Sequence, residues 1–245
     1  MYRHNPQSAI PGPVRTRAGR NPHFPIPILL ILIVVSLCLL ACAPRGQLPT
    51  AEPSPALNIK SVLVVPFNNA ADRYEVGSTV RCSLCGTVFV AGPVTLGIES
   101  YFTEQLLTFL KAQTTYTLVP PGAGEGVRSK ILSESLDLSE RDIVLEMGRR
   151  LKVDVVVSGT IYRFRQRIGM RFSVDTPASV AFGIHLIRVA DGRMIWVGHF
   201  DETQQSLSEN LFKLSIFIRG GWAWLTAEEL ARIGLDKVLA TFPVP

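Results

Sequence analysis

Two patterns of hydrophobic and polar positions alternate between residues 59 and 160. Residues 61–66, 116–119 and 153–159 are short apolar runs of the length expected for strands that are covered on both faces. Between them, residues 99–112 and 139–151 repeat apolar side chains at helical spacing, and the second segment opens like a capping box. The order strand, helix, strand, helix, strand predicts an α/β arrangement.

After Gly159 the chain changes to strict alternation. Tyr162, Phe164 and Ile168 fall on one side of an extended chain, and arginine side chains fall on the other. Because successive side chains of a strand point to opposite faces, this pattern predicts a strand with one solvated face.

A β-hairpin follows. Residues 180–189 and 194–200 are strand-like segments on either side of Asp191-Gly192. Asp-Gly supplies the positive φ angles of a two-residue type I′ turn, so the pattern predicts a tight antiparallel pair.

Helical spacing returns at the carboxyl end. Residues 207–218 carry an apolar stripe, and Thr226 with Glu229 forms a capping box that opens a helix ending near Thr241. The predicted fold class is therefore α/β (α+β), a single three-layer-like domain with a mixed sheet, helices packed on it and a C-terminal helix.

The chain has a family resemblance that rests on three segments, which are residues 62–67 (Val-Leu-Val-Val-Pro-Phe), 151–160 (Leu-Lys-Val-Asp-Val-Val-Val-Ser-Gly-Thr) and 182–196. Most of residues 59–202 resembles the curli-secretion lipoprotein (CsgG-like), the lipoprotein activators of penicillin-binding proteins, and the amino-terminal domain of TolB. The matching residues are core and turn positions, so the resemblance implies an architecture and not a site.

The amino-terminal segment has the parts of an export signal. Residues 1–25 contain four arginines and no acidic residue, and residues 28–40 are uncharged. The run closes on Leu39-Leu40-Ala41-Cys42, which resembles the lipobox of bacterial lipoproteins. This resemblance implies cleavage between Ala41 and Cys42 and attachment of lipid, including palmitate, to Cys42. An uncleaved membrane anchor is the alternative, at the lower limit of spanning length.

These features divide the chain into three parts: a signal peptide (1–41), a lipidated cysteine with a proline-rich spacer (42–58), and the α/β domain (59–245). Ala43 follows the cysteine, where aspartate would favour retention at the inner membrane under the enterobacterial rule. We therefore expect anchoring at the periplasmic face of the outer membrane, with the outer face of the inner membrane as the alternative.

Net charge argues against a nucleic-acid partner. The whole chain has 25 basic and 20 acidic residues, for a net charge of +5. Without the four leader arginines the balance is 21 to 20, a net charge of +1, which is too small an excess to indicate a nucleic-acid surface.

Cys82-Ser-Leu-Cys85-Gly86 is the most specific chemical motif. It resembles one knuckle of a zinc ribbon, but a structural zinc site needs four ligands and the domain has no second cysteine pair. In an oxidising compartment a local disulfide or a plain turn is preferred, while zinc and redox chemistry remain alternatives. Help from His185 or His199 is possible, and no other cofactor is predicted.

The predicted hairpin separates the two histidines of the domain. With Asp191-Gly192 as a two-residue turn, His199 lies opposite Ile184 and His185 opposite Gly198. They then point to different faces of the sheet and cannot bind one ion together.

Two other segments have competing interpretations. Arg163, Arg165 and Arg167 predict either a solvated strand face or a surface for an anionic partner such as phospholipid, peptidoglycan or an acidic protein. Residues 122–126 are glycine-rich but lack the Gly-Lys-Ser/Thr ending of a phosphate loop, so we expect a flexible connection.

No sequence motif of a hydrolase is present, so the chain is not expected to be an enzyme. The preferred hypothesis is a membrane-anchored interaction or assembly module of the cell envelope, with an envelope protein or peptidoglycan as partner and an oligomer possible.

One alternative is an oligomeric secretion channel of the CsgG type, using residues 74–96 and 165–182 as membrane-crossing hairpins of about 9–11 residues per strand. Another is a metal- or thiol-dependent activity at Cys82 and Cys85.

Overall fold

The apolar runs of the sequence form the central strands of one sheet. The computed structural model describes residues 59–135, 137–205 and 223–244. The helices within these residues are α1 (Ile98–Gln113), α2 (Pro121–Glu134), α3 (Glu140–Arg150) and α4 (Ala227–Leu239). The strands are β1 (Ser61–Val64), β2 (Asn68–Asn69), β3 (Thr79–Arg81), β4 (Val88–Val90), β5 (Thr117–Val119), β6 (Val155–Arg165), β7 (Ile168–Met170), β8 (Ser173–Thr176), β9 (Ser179–Arg188) and β10 (Met194–Thr203).

The main sheet has the order β10-β9-β6-β1-β5, and β2 pairs with the far end of β6. β1 is parallel to both β5 and β6, whereas β6, β9 and β10 are antiparallel neighbours. This mixture of parallel and antiparallel pairing confirms the predicted fold class. The β3–β4 hairpin and the β7–β8 hairpin are separate two-stranded sheets.

Apolar cores lie on both faces of the main sheet. The first core packs α1 and α4 on one face, with Phe102, Leu106 and Leu230 fully buried. The second core packs α2, α3 and the β3–β4 hairpin on the other face, with Leu63 and Met147 fully buried. Since strands covered on both faces have no solvated side, the continuous apolar runs of β1 and β6 follow directly from this three-layer packing.

Two predicted helix starts are confirmed by their caps. The Ser139 hydroxyl accepts the backbone N–H of Asp142 at 3.2 Å. Thr226 Oγ1 accepts the N–H of Glu229 at 3.2 Å, and the Glu229 carboxylate accepts the N–H of Thr226 at 2.8 Å. Each cap satisfies N–H groups that a helix leaves unpaired in its first turn.

The prediction of a flexible connection at residues 122–126 is wrong, because they form the first turns of α2. Pro121 occupies the first helical position, where its fixed φ angle and missing N–H cost nothing. Gly124 is buried, and a Cβ there would lie 3.3 Å from Leu63 and 3.4 Å from Met147. Packing against the second core therefore overrides the low helix propensity of glycine.

The prediction that β6 has one solvated face beyond Gly159 is also wrong. The register of β6 against β9 shifts between Ile161 and Arg163, which leaves Tyr162 as an extra residue. As a result, Tyr162 lies in the second core and Phe164 in the first. A bulge of one residue reverses the face of every side chain beyond it.

The hairpin between β9 and β10 exists as predicted, but its turn is longer. The N–H of Arg188 bonds to the carbonyl of Arg193, so four residues lie inside the turn and only Gly192, at φ +69°, has a positive φ. A second register shift lies between Met194 and Trp196, after which His199 pairs with Gly183. That shift changes the face on which His199 lies.

Several predictions fall on residues outside the described ranges, namely the leader with Ala41 and Cys42, the spacer, and the apolar stripe at 207–218.

Among the helices that are described, none has the length and hydropathy of a membrane span. In the two hairpins considered for a secretion channel, the strands are three or four residues long, against the roughly 9–11 residues of a membrane-crossing strand.

Candidate functional site

The β3–β4 hairpin covers part of the sheet on the side of the second core. Its inward side chains, Val80 and Phe89, are buried, and the Phe89 ring stacks on Tyr162 of β6 with centroids 4.0 Å apart and planes at 8°. The N–H of Gly92, just after β4, bonds to the carbonyl of Tyr162 at 2.9 Å. Aromatic stacking and backbone hydrogen bonds thus fix the hairpin and the residues after it over β6.

The turn of this hairpin brings two thiols together. The N–H of Cys82 bonds to the Thr87 carbonyl at 2.8 Å, and the N–H of Gly86 bonds to the Cys82 carbonyl at 2.9 Å. Gly86 has φ +77°, a conformation that side chains rarely tolerate, and this explains the glycine after the second cysteine. Both cysteines are free thiols in the structure.

His185 of β9 completes the cluster from the sheet below. Its Nε2 atom lies 3.4 Å from Cys82 Sγ, and the Cys82, Cys85 and His185 ligand atoms all lie within 4.8 Å of one another. Cys82 is 4% exposed and His185 is 1% exposed, whereas Cys85 is half-buried. Three groups able to bind a metal therefore converge across a gap of 103 residues in sequence.

The two thiols differ in acidity. Burial raises the pKa of Cys82, but hydrogen bonds from His185 and Tyr162, with the electrostatic effect of His185, lower it by more, to about 6. Burial raises the pKa of Cys85, as does the neighbouring Cys82, despite its hydrogen bond to Thr87. Near neutral pH, Cys82 is therefore the thiolate of the pair.

Tyr162 acts as a hydrogen-bond donor at the edge of the cluster. Burial raises the pKa of its hydroxyl, and the hydrogen bond and charge of Cys82 raise it further. A hydroxyl that keeps its proton can donate to the Cys82 sulfur and stabilise the thiolate.

Two buried polar atoms beside the cluster have no hydrogen-bond partner within the described residues. They are Nδ1 of His185 and Oγ of Ser158, which lie at paired positions of β9 and β6. A buried polar group without a partner costs about 1–3 kcal/mol. A buried imidazole nitrogen and a buried hydroxyl therefore lie side by side next to the thiol pair.

The expected separation of His185 and His199 is wrong. His199 pairs with Gly183, two residues from His185 on the same strand, so both histidines lie on one face. Only His185 belongs to the described cluster; His199 is exposed and meets the edge of the Phe89 ring at 6.4 Å between centroids. The sequence contained the cysteine pair and offered His185 as one of two possible helpers. The approach of His185 to the thiols depends on how the β3–β4 hairpin packs over the sheet, a contact between residues 103 positions apart.

The arginine row makes contacts within the protein. Arg163 forms a salt bridge with Asp201 and donates to Ser179 and to the Val90 carbonyl, with its side chain 11% exposed. Arg165 and Arg167 donate to backbone carbonyls of residues 177 and 224. An anionic partner for this row stays a prediction.

Comparisons with known proteins give a likeness in overall structure alone. No family model matches the chain, and no curated protein matches its sequence. Similar solved structures include the PelC dodecamer from Paraburkholderia phytofirmans (16% identity, TM-score 0.43, 80% of this chain and 96% of that one). The C-terminal domain of LpoB from Escherichia coli matches at 20% identity and TM-score 0.36, over 60% of this chain and 84% of that one.

Lipoprotein GNA1162 from Neisseria meningitidis is also similar, at 16% identity and TM-score 0.36, over 71% of this chain and 99% of that one. The similar structures thus include LpoB and a protein described as a lipoprotein. Resemblance to the curli-secretion lipoprotein and to TolB stays a prediction. At these identities and TM-scores, the comparisons assign no site or activity to this chain.

Proposed function

We propose that this chain is a non-catalytic lipoprotein of the bacterial cell envelope. Lipid on Cys42 holds it at the periplasmic face of the outer membrane, and its α/β domain binds an envelope protein or peptidoglycan. The proposal combines a sequence signal for attachment with a structural argument about the domain.

The burial of the Cys82–His185 pair carries the non-catalytic part of the proposal. Among the described residues, Cys82 is the thiol that lies beside a possible general base, the imidazole of His185. A nucleophilic mechanism needs such a pair. The β3–β4 hairpin covers it, and Cys82 is 4% exposed. Because a nucleophile must come within about 3–3.5 Å of the atom it attacks, a substrate could not reach this sulfur without displacing the hairpin.

The attachment part is supported by Leu39-Leu40-Ala41-Cys42 behind a basic and then uncharged leader. A proline-rich segment of about 16 residues follows, and at roughly 3 Å per residue it would hold the domain up to about 50 Å from the lipid. Ala43 supports delivery to the outer membrane.

Replacement of Cys42 tests the anchor. In cells labelled with palmitate, we expect the wild-type chain to carry label and to need detergent for release, whereas Cys42→Ala carries none and is released without detergent. Cys38→Ala is the matched control, since it removes a cysteine from the same leader and should change neither property. Membrane retention of Cys42→Ala equal to wild type contradicts the lipid anchor.

Location and partner need separate measurements. Density-gradient separation of the two membranes should place the wild-type chain in the outer-membrane fraction, and recovery in the inner-membrane fraction overturns that assignment. Chemical crosslinking in intact cells should then capture an envelope protein or peptidoglycan fragment with the wild-type chain and not with Cys42→Ala. Turnover of a substrate that is lost in Cys82→Ser would contradict the non-catalytic role.

A further inference from the structure

We propose that Cys82, Cys85 and His185 bind one thiophilic divalent metal ion of the zinc type, which fastens the β3–β4 hairpin to the central sheet. The proposal rests on the geometry of these three side chains and does not depend on the lipid anchor or on the partner.

The distances fit a tetrahedral ion. With Zn–S near 2.3 Å and Zn–N near 2.0–2.1 Å, a sulfur and a nitrogen bound to one zinc lie about 3.5 Å apart, and two sulfurs about 3.8 Å apart. Cys82 Sγ and His185 Nε2 are 3.4 Å apart, and no pair among the three ligand atoms is separated by more than 4.8 Å. Small side-chain rotations would place all three around one ion.

The donor set selects the class of metal. Two thiolates and an imidazole favour zinc and similar ions over magnesium or calcium, which prefer oxygen. Three protein ligands leave one tetrahedral position for water or an external ligand. That position would lie toward solvent, because Cys85 is the half-buried member of the set.

Neighbouring side chains supply outer contacts to the two sulfurs. The Tyr162 hydroxyl hydrogen bonds to Cys82, and Cys85 Sγ lies 3.2 Å from Thr87 Oγ1. Once both sulfurs are thiolates, each hydroxyl can donate to one of them, which orients the ligand and lowers its basicity.

A disulfide explains the cluster less completely. Joining Cys82 to Cys85 would remove the thiol that lies 3.4 Å from the buried His185 Nε2. A metal ion engages all three groups and leaves neither sulfur nor Nε2 unpaired. The burial of His185 therefore favours metal over a local disulfide.

The place of the cluster in the fold means that the ion would connect two separate sheets. The β3–β4 hairpin is a two-stranded sheet without strand pairing to the main sheet, and isolated hairpins of this size are marginally stable. Cys82 and Cys85 belong to the hairpin and His185 to the central strand β9. An ion shared between them would add a bond from the hairpin to β9, whereas the stacking of Phe89 on Tyr162 and the hydrogen bonds of Gly92 and Val90 all join it to β6.

Metal analysis of the full chain tests the proposal. The protein is purified in detergent with an affinity tag free of histidine and cysteine, and its zinc content is measured by mass spectrometry. We expect about one zinc per chain, and Co²⁺ in place of zinc should give thiolate-to-cobalt absorption in the near ultraviolet. Cys82→Ser, Cys85→Ser and His185→Ala should each weaken Zn²⁺ binding by more than about 100-fold.

Two matched variants sharpen the result. His199→Ala removes a histidine from the same sheet face and should leave zinc affinity unchanged. Tyr162→Phe keeps the ring that stacks on Phe89 but removes the hydroxyl, and it should weaken Zn²⁺ binding by about 10–100-fold. Circular dichroism checks that each variant is folded, and Cys85→Ser at the half-buried position gives the readout if Cys82→Ser does not fold.

Three results would overturn the proposal. The first is a protein that holds no zinc and takes up neither Zn²⁺ nor Co²⁺ at micromolar concentration after reduction. The second is a Cys82–Cys85 disulfide in the protein as purified from its membranes. The third is zinc affinity that is unchanged in His185→Ala, or reduced equally in His199→Ala.

Discussion

At the scale of single residues, polar side chains connect segments that are distant in the sequence. Asp154, just before β6, accepts the N–H groups of Lys60 and Ser61 at 2.8 Å each and the Ser61 hydroxyl at 3.0 Å. In return, the N–H of Asp154 donates to the Ser61 hydroxyl at 3.0 Å. These bonds fix the start of β1 to the start of β6 and so help to set the parallel register.

Asp154→Asn tests this connection and its pH dependence. Partial burial raises the pKa of the Asp154 carboxyl, but the N–H groups of Lys60 and Ser61 lower it by more, so its folded pKa lies below its usual value. A depressed folded pKa adds stability above the unfolded pKa of about 3.9, and this stability is lost as pH falls through the folded value. Because the carboxylate is exposed, we expect Asp154→Asn to lower the free energy of unfolding at pH 7 by only about 1 kcal/mol.

Urea unfolding between pH 7 and pH 2 measures the effect. The difference between wild type and variant should shrink as the carboxylate is protonated. Asp175→Asn, an exposed aspartate on β8, is the control and should change stability little at any pH. A difference for Asp154→Asn that is constant across this range would show that charge is not the cause.

At the scale of elements, periodicity predicted the type and order of the strands and helices but not the face of each residue. Helical spacing identified α1, α3 and α4, and continuous apolar runs identified β1, β5 and the first half of β6. The bulges at Tyr162 and near Ile195 each insert one residue, and the resulting change of face is decided by tertiary packing. For that reason the face of His199 was not predictable. The cysteine pair was visible in the sequence, whereas its convergence with His185 depends on the packing of the β3–β4 hairpin over the sheet.

Two exposed glycines of helix α2 test whether the low helix propensity of glycine destabilises this helix. Gly122 and Gly126 are exposed, and a Cβ at either would meet nothing within 4 Å. Because alanine restricts the unfolded chain and favours helix, Gly122→Ala and Gly126→Ala should each raise the free energy of unfolding by about 0.5–1 kcal/mol. Destabilisation by both would contradict a helix over these residues.

A glycine in β6 gives the opposite expectation. A Cβ on Gly159 would lie within 3.0 Å of three atoms of the Phe67 ring. Gly159→Ala should therefore lower the free energy of unfolding by about 1–3 kcal/mol, because the buried ring must shift. Unfolding in urea measures all three variants, and a neutral Gly159→Ala would mean that the Phe67 ring moves freely.

At the scale of the whole molecule, the two faces of the sheet are closed differently. On the first core, Phe102 has no exposed surface and contacts the rings of Phe67 and Phe182 at centroid distances of 5.3 and 5.1 Å. That core is covered by long helices. Over Tyr162, the second core is covered by the β3–β4 hairpin, which is anchored through Phe89 and, under our proposal, through a metal ion.

This asymmetry predicts different consequences for two equally drastic truncations. Phe102→Ala empties the centre of the first core and should lower the global free energy of unfolding by about 3–5 kcal/mol. Phe89→Ala removes the ring stacked on Tyr162 and should mainly release the hairpin, so its amides exchange hydrogen about tenfold faster or more while those of β1 and β6 stay protected. Hydrogen exchange with mass spectrometry resolves the two segments. Equal loss of protection in β6 and in the hairpin of Phe89→Ala would show that the hairpin unfolds only with the whole domain.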